Sequence, residues 1–254
     1  MKFVTFNIRY ENDQDGINCF VHRAGGILRK IETEMPDVIG FQECLPSQFD
    51  FLRRHLADYS VVGCGRTADY AGEHSCIAFL REKYELIGLD TEWLSPTPFV
   101  PGSRFPDQYP HPRIVTCAVL RPYGSDAPFR VYNTHLDNAS TSARELGAQH
   151  IANLIGRHLK RQEMPLVLMG DFNDVPDSAP IRTLLGNRTL ALTDHTSGIE
   201  YSFHDYGRGT RQKIDYIFSR GMKATVPARP WDDVDNGIYL SDHYPLTIEL
   251  DLEK

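Results

Sequence analysis

The chain has 254 residues, 41% hydrophobic and 24% charged, with a net charge of −7. That is enough apolar material for a sizeable packed core, and no run approaches the roughly 20 apolar residues of a membrane helix. A protein that grips long duplex DNA usually presents a basic face, so the acidic balance points instead to a small phosphorylated partner or to a metal-rich pocket.

The first ten residues lack a long apolar stretch and a small-residue cleavage site, so they read as the first strand and not as a signal peptide. In chain order, strands are predicted at 2–8, 38–41, 75–80, 114–120, 129–134, 166–169, 214–218 and 246–250, each an apolar run bounded by turn formers. Several are nearly continuous in apolar residues, as expected of strands covered on both faces. Helices are predicted at 24–34 (Ile27, Leu28, Ile31), 47–56 (Phe51, Leu52) and 142–159. The last carries Leu146, Ile151, Leu154, Ile155 and Leu159, with Ser140 and Thr141 as candidate N-caps. Residues 94–112 are rich in proline and read as an irregular insertion. Without internal repeats or linkers, one domain over 1–254 is expected, with an α/β sandwich architecture. The five cysteines are odd in number and scattered without a C-x-x-C pair, so reduced thiols in a cytoplasmic protein are expected, not disulfides or zinc.

Polar residues cluster where strands end. Asn7 follows the first strand, Glu43 the second, His135 the run 129–134, and Asp171 and Asn173 the run 166–169. Asp215 lies within the run 213–218, and Asp242 and His243 precede the last strand. Loops and strand ends on a rigid scaffold are where sites are usually built. Asn and carboxylate oxygens are hard ligands that suit magnesium. Histidines beside carboxylates hold an anionic oxygen or move a proton, and an Asp beside an Asn can orient and deprotonate a water, as attack on phosphorus requires. Each residue alone has a plainer reading. Glu43 could be a surface carboxylate, His135 a core histidine, Asp171 and Asn173 turn formers, and Asp242 and His243 a cap. The joint pattern outweighs them.

In the order Phe-Asn-Ile-Arg (6–9), Gln-Glu (42–43), Asn-Thr-His-Leu-Asp (133–137), Gly-Asp-Phe-Asn (170–173), Ile-Asp-Tyr-Ile-Phe (214–218) and Ser-Asp-His-Tyr-Pro (241–245), the chain resembles the endonuclease/exonuclease/phosphatase (DNase I-like) superfamily. Trp93 and the segment after it are similar to the bacterial cytoplasmic branch nearest nocturnin-like enzymes. The resemblance implies a four-layer α-β-β-α sandwich of two mixed sheets, with the site at one edge of both. It implies that Glu43 is the principal magnesium ligand, assisted by Asn7 and Asp242. Asp171 would orient or deprotonate the attacking water, with Asn173 helping to hold the phosphate. His243, fixed by Asp215, would face the scissile phosphate. His135, oriented by Glu73, would be the second phosphate-facing histidine and would protonate the leaving oxygen. Arg9 and Arg113 resemble phosphate contacts, with a surface salt bridge as the alternative for each. Arg144 is expected to pair with Asp137 or Glu145.

The expected activity is therefore Mg2+-dependent (alternatively Mn2+-dependent) phosphodiester or phosphomonoester hydrolysis. The expected substrate is a phosphorylated small molecule, nucleotide or short oligonucleotide, with long duplex DNA disfavoured and neither a membrane nor an obligate protein partner indicated. A DNA or RNA nuclease and a catalytically silent phosphate-binding protein are the alternatives. The run Glu11-Asn-Asp-Gln-Asp-Gly resembles the start of a calcium loop, but the twelfth position is His22, so it reads as a polar loop near the site mouth. Tyr201, Phe203, His204 and Trp231 are candidates for stacking a base or sugar, with core or rim packing the preferred reading.

Overall fold

The computed structural model describes residues 1–108 and 110–253. Strands run in chain order as β1 (Lys2–Asn7), β2 (Val38–Gln42), β3 (Tyr59–Val62), β4 (Ile77–Leu80) and β5 (Tyr84–Trp93). They continue as β6 (Ile114–Pro122), β7 (Phe129–His135), β8 (Leu166–Asp171), β9 (Thr193–Asp194) and β10 (Asp215–Arg220). Last come β11 (Met222–Ala224), β12 (Arg229–Pro230), β13 (Val234–Asp235), β14 (Ile238–Tyr239) and β15 (Leu246–Leu252). One sheet has the order β11-β15-β1-β2-β4-β3, with β12 also on β15; the other is β5-β6-β7-β8-β10-β9. Both are mixed, because β1 and β2 pair in parallel, as do β7 and β8, while their neighbours pair antiparallel.

The two-residue alternation of strand side chains builds the layers. On β1, Phe3 faces the other sheet while Val4 and Phe6 face outward; on β8, Val167 and Met169 face inward while Leu166 and Leu168 face outward. The inner set fills the space between the sheets, with Val38, Phe129, Val131, Ile217 and Ile248. The outer faces are covered by α1 (Phe20–Glu34) and α2 (Pro46–His55) on the first sheet, and by α3 (Thr141–Arg161) and α4 (Ala179–Leu185) on the second. Burying both faces of each sheet in this way gives the expected α-β-β-α sandwich.

The helix ends follow local chemistry. The Ser140 side chain accepts a hydrogen bond from Ala143 N at 3.1 Å and caps α3. In α2, Pro46 starts the helix and the Gln48 side chain accepts from Leu45 N at 3.1 Å. Helix α1 begins at Phe20, four residues before the predicted start, because Phe20 and Arg23 are already buried against the first sheet. It stops at Met35, whose φ of 45° breaks the helix. Strands β3, β5, β9 and β11 to β14 and helix α4 differ from the sequence expectation, which has no element there. β5 is an edge strand carrying Glu85, Asp90 and Glu92, charges that blunt an edge and also mask its apolar signal. Residues 94–112 form turns and irregular backbone, as expected; Tyr109 lies outside the described residues. The five cysteines are free. Among the described residues, no helix is long and apolar enough to cross a membrane.

Two glycines allow the layers to meet near the strand ends. A Cβ at Gly40 would lie 2.7 Å from Asn133 Oδ1 and from Met169 Sδ, so its lack of a side chain lets Asn133 cross between the sheets. There Asn133 Oδ1 accepts from Gln42 Nε2 at 2.7 Å, and Asn133 Nδ2 donates to the carbonyls of Phe41 and Cys76. A Cβ at Gly170 would lie 2.0 Å from the Thr134 carbonyl oxygen, so the close approach of β7 and β8 requires glycine.

Candidate active site

The inward register of each sheet ends in a polar residue. Phe3, Thr5 and Asn7 share one face of β1; Phe129, Val131, Asn133 and His135 share one face of β7; Val167, Met169 and Asp171 share one face of β8. Asp215, two residues from Ile217 on β10, falls on the same face. Pairing then sets His135 and Asp215 on either side of Asp171. Apolar contact between the sheets ends at this edge, and a cavity of about 730 Å³ opens there. Its lining includes Arg9, Glu43, Glu73, Arg113, His135, Asp171, Asn173, Asp242 and His243; Asn7 and Asp215 lie buried beneath it. All eleven residues expected from the sequence therefore converge.

Three of them adopt left-handed backbone: Arg9 (φ 56°), Glu43 (φ 60°) and Asn173 (φ 50°). Each follows a strand end, and the reversal breaks the strand alternation and aims the side chain into the cavity. Positive φ at residues other than glycine is uncommon and concentrates at functional sites.

His243 Nδ1 lies 2.8 Å from Asp215 Oδ2, and His243 Nε2 lies 3.8 Å from Asp171 Oδ2. Burial opposes the imidazolium, but Asp215, Asp171 and Asp242 outweigh it and raise His243 to about 10. Burial, together with the negative charge of Asp215, pushes Asp171 up to about 7. Asp171 Oδ1 accepts from the Asn173 backbone N–H at 2.8 Å, and its Oδ2 accepts from Asn7 Nδ2 at 2.9 Å. Asn7 Nδ2 also reaches Glu43 Oε1 at 3.1 Å, while Asn7 Oδ1 accepts from Arg9 N at 3.0 Å. In this structure the amide of Asn7 thus spaces two carboxylates, with its oxygen turned toward the backbone.

Arg9 is bound bidentately by Asp15, at 3.1 and 3.2 Å, and lies 3.7 Å from Asp242 Oδ2. It is neither a free phosphate ligand nor a surface ion pair, but a guanidinium locked between two acids at the cavity wall. Burial raises Asp242, with Glu43 adding repulsion and His243 opposing it.

Across the cavity, burial together with the charges of Arg113, Arg66 and His243 holds His135 well below its ordinary value, so the ring is neutral. Asn173 Nδ2 donates both to Leu136 O and to His135 Nε2, at 3.0 and 2.9 Å, which assigns the ring proton to Nδ1. Glu73 Oε2 stands 3.9 Å from that Nδ1, beyond hydrogen-bond reach, and Glu73 Oε1 is held by Arg66 NH2 at 2.5 Å. The expected orienting carboxylate is therefore in the right place but bonded elsewhere. Arg113 is buried beside Asp137 (3.8 Å) and donates to Asn138 Oδ1 at 3.1 Å. Arg144 pairs with Asp174 at 2.9 Å and with the Asp137 carbonyl at 3.2 Å, not with the carboxylate of Asp137 or Glu145.

Among the described residues, two metal-competent groups arise. Ligand atoms of Glu43, His135 and Asp171 lie within 4.8 Å of one another, and so do those of Asp171, Asp215 and His243. Asp242, expected to assist Glu43, belongs to neither group and sits against Arg9. The sequence reading missed Arg66, Asp15 and Gln48. Arg66 pairs with Glu73, Asp15 with Arg9, and Gln48 donates to the Arg9 carbonyl at 2.9 Å. No motif marks them: Asp15 and Arg66 lie six and seven residues from their partners across irregular backbone, and Gln48 reaches a carbonyl 39 residues away. The polar run near residue 11 does border the site, through Asp15. Trp231 is fully buried core and His204 is buried, while Phe203 lines the cavity edge-on to His243 at 5.0 Å.

The endonuclease/exonuclease/phosphatase family model matches residues 4–243. The structure of an endonuclease/exonuclease/phosphatase from Bacteroides vulgatus is similar, with TM-score 0.91, 31% identity and coverage of 99% of this chain and 98% of that one. A mannosyl-6-phosphatase from Bacteroides thetaiotaomicron shares the fold, with TM-score 0.88, 23% identity and coverage of 99% and 100%. So does the catalytic domain of human nocturnin with bound sulfate, with TM-score 0.79, 17% identity and coverage of 99% and 93%. With the family model spanning nearly its whole length, the chain belongs to the endonuclease/exonuclease/phosphatase family.

Proposed function

We propose that this protein is a divalent-metal-dependent phosphoester hydrolase acting on small phosphorylated or nucleotide-like substrates. The activities named in its family all hydrolyse phosphoester bonds. The observation that carries the reading is the line from buried Asp215, His243, Asp171 and Asn7 to half-buried Glu43, which sets an imidazolium, a carboxylate with a raised pKa and a hard-oxygen donor group along one cavity wall.

The donor set fits a hard cation. Glu43 and Asp171 offer carboxylate oxygens within 4.8 Å of each other, and burial raises both Asp171 and Asp242, with repulsion from Asp215 adding to the first and from Glu43 to the second. Positive charge among them relieves that repulsion. Glu43 and Asp171 would hold Mg2+ or Mn2+, with Asp242 close by. A cation there supplies Lewis-acid stabilisation of charge on the phosphoryl oxygens.

Asp171, oriented by the Asn173 N–H and by Asn7, accepts a proton from the attacking water at Oδ2. His243, held protonated by Asp215, donates from Nε2 to a phosphoryl oxygen as negative charge grows there. His135 is neutral, its Nε2 accepts from Asn173 and its Nδ1 is buried toward Glu73, so it orients Asn173 and does not deliver a proton to the leaving group. Arg113 and Arg9 add positive potential to the walls.

A cavity of about 730 Å³ suits a nucleotide or sugar phosphate, and the charge of −7 disfavours long polyanions. The complete residue set speaks against a silent binding protein. The test is turnover of p-nitrophenyl phosphate, bis-p-nitrophenyl phosphate, mononucleotides and short oligonucleotides with Mg2+ or Mn2+. Metal-dependent turnover is expected, and it should be lost in Asp171→Asn and His243→Ala. Lack of metal-dependent turnover across the panel, or full activity in both variants, sinks the proposal. Steep loss of oligonucleotide turnover with salt, alongside poor turnover of mononucleotides, would favour a nuclease.

A further inference from the structure

Arg23 lies near the start of α1, outside every sequence motif, and is 1% exposed. Its guanidinium donates four hydrogen bonds, all to backbone carbonyls. Nε reaches Asn18 O at 2.6 Å, one terminal nitrogen reaches Ile8 O and Leu240 O at 2.7 Å each, and the other reaches Arg9 O at 3.2 Å. None of these acceptors is charged. Burial pulls the Arg23 pKa below its ordinary value, which records the desolvation cost of placing a cation there. A side chain that only filled space would be less costly as Met or Leu.

The three tied segments bear the site. Ile8 and Arg9 directly follow Asn7. Leu240 precedes Asp242 and His243 by two and three residues. Asn18 ends the turn Asp13–Asn18, which supplies Asp15 to Arg9 and to the Tyr206 hydroxyl at 3.2 Å. A planar fork with five N–H donors can span three chain segments at once, which an ammonium on a flexible stem cannot.

We propose that Arg23 is a positioning residue for the hydrolase site. By holding the carbonyls after β1 and before β15 on one rigid plane, it fixes the separation between Asn7 and the Asp242–His243 pair. This rests on the proposed hydrolase reading. A groove of about 530 Å³ between α1 and the β13–β14 hairpin reaches Arg23 from solvent, on a wall that the catalytic cavity does not share.

The experiment compares wild type with Arg23→Met, Arg23→Lys, Arg23→Ala and the exposed control Arg29→Met, using p-nitrophenyl phosphate or, failing that, the best substrate of the panel. A misplacement of about 1 Å can cost on the order of 100-fold in rate. Folded Arg23→Met and Arg23→Lys should therefore lose about 10- to 100-fold in kcat, with KM changed by less than about threefold. Arg29→Met should match wild type. Amide exchange should quicken at residues 7–10 and 239–243 but not in α3. Guanidinium chloride at millimolar concentration should recover part of the Arg23→Ala activity through the groove.

Unchanged kcat in folded Arg23→Met, or exchange that quickens uniformly over the whole chain, overturns the positioning role. So does failure of all three Arg23 variants to fold, which would make Arg23 a requirement of the fold and not of the site. Wild-type turnover tests the hydrolase reading separately. If wild type is inactive while exchange quickens only at the two segments, the clamp stands and the hydrolase reading falls.

Discussion

Asp215 Oδ2 lies 2.8 Å from His243 Nδ1, with both side chains buried, and this pair sets the charge of the cavity wall. In the folded chain His243 titrates at about 10, above an ordinary histidine near 6.5. The stabilisation it contributes is fully present below about 6.5 and is lost as pH rises through about 10. Activity that needs the imidazolium follows the same basic limb. In Asp215→Asn the limb should move down toward neutral pH, with kcat reduced about 100-fold at neutral pH and more at alkaline pH. A pH–rate profile checks this. A variant limb that stays at the wild-type position contradicts it.

Asp171 is expected to carry the proton taken from water. Asp171→Asn keeps the shape and the hydrogen bond from Asn173 N–H but removes the base. We expect kcat to fall about 10²- to 10⁴-fold, with KM nearly unchanged. Steady-state kinetics at saturating metal test this, and a variant that loses only affinity would reassign Asp171 to binding.

Glu43→Gln should weaken cation binding without unfolding the chain. A bound ion stabilises the folded state by mass action, so wild-type Tm should climb with Mg2+ or Mn2+ concentration. The variant should need about tenfold more metal, or beyond, for the same rise. Thermal melts without substrate read this independently of turnover, and equal shifts in both proteins would remove Glu43 from the metal site.

Phe172 is fully buried between Asp171 and Asn173, edge-on to Tyr216 and Phe218 at 5.6 and 5.4 Å. Phe172→Ala should cost about 3–5 kcal/mol in urea unfolding through the cavity it leaves. Because its neighbours in sequence are site residues, the folded variant should also lose kcat. A loss below about 1 kcal/mol would mean that the core closes over the gap.

Much of this architecture is legible in the chain. The two-residue alternation on β1, β7 and β8 encodes which face is core, and continuing it one step places Asn7, His135 and Asp171 on the inner face. Gly40 and Gly170 mark the close approaches. What escapes is short or edge structure, since four residues of β3 and the charged edge of β5 carry too little periodicity.

The sequence by itself determined the longer strands, the sandwich and eight polar residues at strand ends, because side-chain period and chain order are local properties; the family resemblance added Arg9, Glu73 and Arg113. Only the tertiary structure decided how those residues are engaged. It turned Glu73 to Arg66, locked Arg9 between Asp15 and Asp242, made His135 neutral and His243 a cation, and set Arg23 on four carbonyls. These outcomes depend on burial and on groups brought within a few ångströms by segments more than 230 residues apart, such as Leu240 beside Ile8 and Arg9 beside Asp242. Hydrogen bonds to backbone carbonyls leave no mark in residue type, which is why the Arg23 clamp was visible only in three dimensions.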